Sequence, residues 1–220
     1  MDAADARDPT RVEGSATGQA SARRMPPSSQ EAALLDAAEE LFYEEGYQAV
    51  GMDRLRTASG VPLKRIYGLF PGKEAVAVAM LDRRDARWRG ALDTHVRRHE
   101  DPHRRVLAVY DWLEERLVGP GHRGCAWINA FGELGGTSEP VAEAVRRHKA
   151  SFRRDLGVLV AEAGASTATA DAIHLLAEGL LVTGGIVGDA RAVARTAAEA
   201  REAADRLLQS TAAGSRIAGL

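Results

Sequence analysis

Between Pro140 and Ala163 the positions Val141, Val145, His148, Phe152, Leu156, Leu159 and Ala163 recur every three or four residues. That spacing gathers them on one face of a helix, whereas a strand would send alternate side chains to opposite faces. The same period returns in Leu34, Ala38, Leu41 and Phe42, in Val76, Met80, Leu81, Trp88 and Leu92, and in Val106, Val109, Leu113 and Leu117. Alanine and leucine dominate the apolar residues and aromatics make up only 5% of the chain, a bias that favours helix. The sequence therefore predicts an all-α protein. Its 220 residues, 45% of them hydrophobic, suffice for one sizeable core or two small ones.

Glycine, proline and capping residues divide the pattern into about nine helices. Residues 1–28 hold almost no large apolar side chains and read as a disordered arm, with Arg23 and Arg24 near its end. Ser28 or Ser29 caps a first helix that Gly46 stops. Its polar face carries Glu31, Asp36, Glu39, Glu40, Glu44 and Glu45, too acidic to meet DNA. Short helices are expected at about 52–59 and from Pro62 to Phe70, then a long one from Lys73 to about Arg98, barred by Pro102. Further helices follow at about 103–118, 126–134, 140–163, 168–187 and 190–209, and 211–220 reads as a flexible tail.

The block 47–73 differs in charge. It holds five basic residues, Arg54, Arg56, Lys64, Arg65 and Lys73, and a single acid, Asp53. The whole molecule has a net charge of −2, so any attraction to nucleic acid must be this local. Two short helices meeting at Ser59-Gly60-Val61, the second of them basic, describe a helix-turn-helix. The tight turn needs the residue without a β-carbon that Gly60 supplies. The second helix is short enough to enter a major groove about 12 Å wide.

The run Gly46-Tyr47, Met52-Asp53-Arg54-Leu55, Ala58-Ser59-Gly60-Val61, Ile66-Tyr67, Phe70 and Lys73-Glu74 resembles the N-terminal domain of the TetR family of bacterial regulators. The resemblance covers residues 29–75, and the helical remainder has a suitable length. It implies an N-terminal three-helix helix-turn-helix DNA-binding domain at 29–75 and a helical ligand-binding and dimerisation domain at 76–210. It also implies a homodimeric repressor that leaves its double-stranded DNA operator when a small-molecule effector binds. By the resemblance, Tyr67 and Lys73 meet phosphates, and Leu63, Lys64 and Arg65 occupy positions that face bases and backbone. With Arg54 and Gly68 these form the candidate DNA-binding set. The sequence departs from the family at Val50-Gly51, where a hydroxyl residue often caps the second helix, and at Arg56, Lys64, Gly68 and Leu69. The last two helices, rich in glycine and alanine, correspond to the family's dimer interface.

A pocket in a helical bundle is largely apolar with a few polar groups. The candidate ligand-binding residues are Trp88, Trp112, Trp127, Asn129, Phe131, His148, Phe152 and Glu178, with Glu133 and His174 beside them. Asn129 and Glu133 lie four apart, on one helix face in an apolar segment, and such polar groups need partners. The expected cavity is lined by Trp112, Trp127, Asn129 and Phe152.

Cys125, the single cysteine, precludes an internal disulfide and suits a reducing cytoplasm. At a helix start beside Arg123 it has the setting of a thiol that responds to modification, an alternative mode of regulation. His95, His99 and His103 recur every four residues, but Pro102 breaks the helix they would share, so no metal is expected. No cofactor is expected either. A helical small-molecule enzyme is the remaining alternative, and no P-loop, dinucleotide fingerprint, H-E-x-x-H or nucleophile elbow supports it. No run approaches 18 uninterrupted apolar residues and no apolar signal segment opens the chain, which predicts a cytoplasmic protein without a membrane span.

Overall fold

The computed structural model describes residues 27–217, with side chains from 28 to 210. The arm expected at 1–28, with Arg23 and Arg24, lies outside the described residues except for its last two positions, which open the first helix. The described residues form nine helices and no strand: α1 (Pro27–Glu45), α2 (Met52–Ser59), α3 (Leu63–Leu69), α4 (Lys73–Val96), α5 (Pro102–Val118), α6 (Ala126–Leu134), α7 (Glu139–Glu162), α8 (Thr167–Val187) and α9 (Ala190–Ile217).

Local chemistry sets the ends. Asp101 caps α5 by accepting from the backbone N–H groups of His103 and Arg104, with Pro102 in the first turn. Ser166 caps α8 in the same way through Thr169 N–H. Gly60 ends α2 at φ 67°, a left-handed conformation that costs other residues about 1–2 kcal/mol. One boundary differs from expectation: α9 runs on to Ile217 rather than ending near Gln209, so most of the expected tail at 211–220 is helix. Alanines at 212 and 213 favour helix, and no proline interrupts that end.

The helices α1 to α3 pack around Leu34, Phe42, Tyr47, Leu55 and Ile66, all buried. Phe42 and Tyr47 stack with ring centroids 4.8 Å apart. The long helix α4 leaves this module and enters the larger bundle, where it packs on α5 and α7, while α9 packs on α5 and α8. Val76, Met80 and Leu81 near the start of α4 and Leu92 and Val96 near its end belong to one continuous buried core.

By length and composition alone the helix α8 is apolar enough to cross a bilayer, a test that a core helix also passes. It packs between α7 and α9 and carries Asp171, His174 and Glu178. Its outward face nevertheless leaves Leu175 at 70% and Ile186 at 77% exposure, joined by Val182 and Val187.

Candidate DNA-facing surface and regulatory core

The helix pair α2–α3 is held by what it buries. Leu55 and Ile66 point into the core, and Ser59 Oγ accepts from Val61 N–H across the turn. Burying Ile66 turns its neighbours outward: Tyr67 is 52% exposed, and Lys64 and Gly68 are exposed as well. Leu63 and Arg65 are half-buried, with Arg65 Nε donating to Gln30 Oε1 at 3.1 Å. Lys73 Nζ donates to the Tyr47 carbonyl at 2.8 Å, which holds its ammonium group at the start of α4 with two donors still available. Arg54 lies against Glu45 at 2.7 Å, and Arg56 against Asp53 at 3.2 Å. These are exposed pairs of the kind worth no more than about 1 kcal/mol, so phosphates can compete for them. Gly51 caps α2 without any side-chain bond. The acids Asp36 and Glu39 of α1 face arginines of α4 rather than this surface.

In the larger bundle the aromatic candidates do meet, but they fill the space themselves. Trp88 is the hub, with ring centroids 4.9 Å from Trp112, 5.1 Å from Phe152 and 5.2 Å from His148. Trp127 stacks flat on His148 at 3.5 Å. The void beside Trp127 and His148 measures about 20 Å³, near the minimum for a single water. Two candidates stand outside this cluster. Phe131 is 49% exposed on α6, and Asn129 Nδ2 donates to the Arg123 carbonyl at 3.1 Å. Glu133 faces the first module, accepting from Gln48 N–H at 2.9 Å. The expected cavity lined by Trp112, Trp127, Asn129 and Phe152 therefore does not form as a unit.

A polar cluster sits next to the aromatic one. Glu178 pairs with Lys149 and lies 3.3 Å from His174 Nε2. Burial alone would raise the Glu178 carboxyl, but His174 and Lys149 outweigh it and hold the group below the usual carboxylate range. Lys149 Nζ also lies 3.4 Å from Cys125 Sγ, a contact invisible in the sequence because the two are 24 positions apart. The three spaced histidines part company: His103 binds Asp205 of α9 at 2.6 Å, while His95 ends α4 and His99 lies in the turn beyond it.

A helix-turn-helix module with an outward basic second helix, joined by one long helix to an all-helical bundle, defines a two-part regulator of the helix-turn-helix class. The family model described as "Bacterial regulatory proteins, tetR family" matches residues 34–80, so the segment from α1 into α4 is of that family's type. It is 30% identical over 114 residues to the HTH-type transcriptional repressor NemR of Escherichia coli, a match covering 51% of this chain and 57% of NemR. It is also 30% identical over 108 residues to the HTH-type transcriptional activator FasR of Mycolicibacterium smegmatis, covering 47% of this chain and 49% of FasR. The chain thus spans only about half the length of the curated relatives it matches. A crystal structure of a TetR-family transcriptional regulator from Streptomyces coelicolor superposes with a TM-score of 0.75 at 28% identity, over 84% of this chain and 96% of that one.

Proposed function

We propose that the protein is a cytoplasmic, DNA-binding transcriptional regulator, not an enzyme. It binds a palindromic operator as a homodimer, represses there, and is released by a small-molecule effector. The observation that carries this reading is the outward presentation of Lys64, Tyr67 and Gly68 by a short helix whose Ile66 is fully buried. One such helix reads too few base pairs for operator specificity, and a two-fold dimer presents a second one about 34–36 Å away. Tyr67 and Lys73 contact phosphates, so they position the module without reading bases. Lys73→Ala is expected to weaken binding to selected genomic fragments by a similar factor on each, and to flatten the salt slope by about one unit. Gel shift across a salt series checks this; unchanged affinity and slope, with unchanged melting, would remove Lys73 from the interface.

A second reading is favoured by the Lys149–Cys125 contact. An ammonium group beside a thiol is the setting of a modifiable cysteine. On this reading peroxide or an electrophile, rather than a reversible ligand, releases the operator. Cys125→Ala then still binds DNA but no longer loses it on treatment. Release of the variant at the wild-type dose excludes the thiol as sensor.

A further inference from the structure

The seam between α1, α4 and α5 holds one guanidinium group that its carboxylates do not pair. Glu39 of α1 receives Arg84 Nη1 at 3.0 Å and Arg87, both from α4, and lies 3.6 Å from Arg83. Arg83 turns mainly to Asp36, at 2.8 Å. The fourth guanidinium, Arg116 of α5, is half-buried and lies 5.6 Å from the centroid of the Trp112 ring. Among the described residues its side chain has neither an ion pair nor a hydrogen-bond acceptor. Burial first, and then the charge of Arg84, pull Arg116 below the ordinary arginine value. It is a desolvated cation held beside another cation.

A cavity of about 270 Å³ opens at this point. Arg84, Arg87, Arg116 and Glu39 line it together with Trp88 and Trp112, whose indoles are each less than a tenth exposed. Its lining sets three guanidinium groups beside one carboxylate, while Asp36, Glu40 and Glu44 line the adjoining recess that shares these arginines. Guanidinium forks take carboxylate oxygens in pairs, and the indoles take a flat apolar body. The volume lies just below the range of about 300–1,000 Å³ common for small-molecule sites, so the occupant is compact.

We propose that this seam binds a compact aromatic carboxylate, its anionic end on Arg116 and Arg84 and its ring on Trp88 and Trp112. The site itself stands on the geometry above; only its role as the effector site rests on the regulatory reading. That role has a direct physical route. Arg84 and Arg87 hold Glu39, which belongs to the DNA-binding module. An anion competing for them loosens the module's grip on α4 and shifts the spacing of the recognition helices.

The test is calorimetric titration of the full chain with 1-naphthoate, with the neutral 1-naphthamide and with inorganic phosphate. Naphthoate is expected to bind saturably, once per chain, and the amide and phosphate at least tenfold more weakly. Arg116→Met keeps the stem over Trp112 and removes the charge, and is expected to lose at least tenfold in naphthoate affinity with unchanged melting. Arg97→Met, at an exposed arginine just past the end of α4 and paired with Asp93, serves as control and keeps wild-type affinity. Equal affinity for acid and amide, equal affinity for phosphate, absence of saturable binding, or full affinity in Arg116→Met each overturns the site. A parallel gel shift separates the two readings. Binding without operator release leaves the site standing and ends its role as effector site; operator release by another compound, with no naphthoate binding, overturns the site and leaves the ligand-responsive reading of the protein standing.

Discussion

His148 sits in the apolar stripe of α7 at 2% exposure, stacked on Trp127, with its Nδ1 2.6 Å from Asp85 Oδ1. Burial is the largest influence on the ring and outweighs the raising effect of Asp85, bringing its pKa from 6.5 to about 4. The neutral ring therefore donates from Nδ1 to the Asp85 carboxylate and packs as an aromatic. A histidine whose folded pKa lies below its unfolded value takes up its proton more readily when unfolded. The stability it contributes is present above pH 6.5 and is lost as the pH falls toward 4. The slope from this one group approaches about 1.4 kcal/mol per pH unit inside that window. His148→Gln keeps a donor for Asp85 but does not titrate, so its stability is expected to fall less steeply between pH 6.5 and 4. Denaturant melts of both proteins across that range check it, and identical slopes would mean that the ring is already charged in the fold. The sequence placed His148 in the core face correctly. It was silent on Asp85, because a partner 63 residues distant leaves no periodic trace.

At the level of elements, what was legible depended on punctuation. The limits of α2 and α6 follow directly from the sequence, because glycines and a turn mark their ends. The end of α9 was misplaced because nothing in its alanine-rich sequence stops a helix. The partners that α6 meets were not legible for a different reason. The four-residue spacing of Asn129 and Glu133 gives a shared face, but not which neighbour meets it, and Glu133 turns to Gln48. Arg116 was overlooked altogether: among the many charged residues of α5 its lack of a partner is a property of the packing. Close approach is likewise invisible in sequence, and Gly124 and Gly157 show opposite cases. Gly124 has φ +75°, and an added Cβ would lie 2.8 Å from the Leu181 carbonyl of α8. Gly157 lies within α7 and a Cβ there would meet nothing within 4 Å. Gly124→Ala is therefore expected to destabilise by about 2–5 kcal/mol, the sum of left-handed strain and overpacking. Gly157→Ala is expected to stabilise by about 0.5–1 kcal/mol through helix propensity. Chemical denaturation measures both, and a neutral Gly124→Ala would show that the loop at 119–125 can move away from α8 without cost.

For the whole molecule, the unresolved energetic question is the outer face of α8. Leu175 and Ile186 lie largely in water, with Val182 and Val187 between and beside them. Ala172, Leu176, Ala203 and Leu207 extend the same apolar surface across to α9. Monomeric proteins rarely expose a contiguous apolar face of this kind, so it calls for a cover. On the proposed homodimeric reading, a second copy of the chain supplies one through a two-fold interface in which each residue acts twice. Burying a leucine or isoleucine side chain contributes about 1.5–3 kcal/mol, so removing one from both protomers costs the dimer about 3–6 kcal/mol. That corresponds to a weakening of association by roughly a hundredfold to ten-thousandfold. Placing a charge there adds the penalty of burying it unpaired. Ile186→Arg is accordingly expected to be monomeric at micromolar concentration while keeping its helical fold, since its side chain is 77% exposed within its own chain. Because operator affinity draws on two modules held at fixed spacing, the same variant is expected to lose specific DNA binding with its recognition helix untouched. Light scattering and gel shift on one preparation check both halves. A dimer that persists in both Ile186→Arg and Leu175→Glu would place the interface elsewhere on the bundle, and a monomer that binds the operator at full affinity would overturn the two-fold reading of recognition.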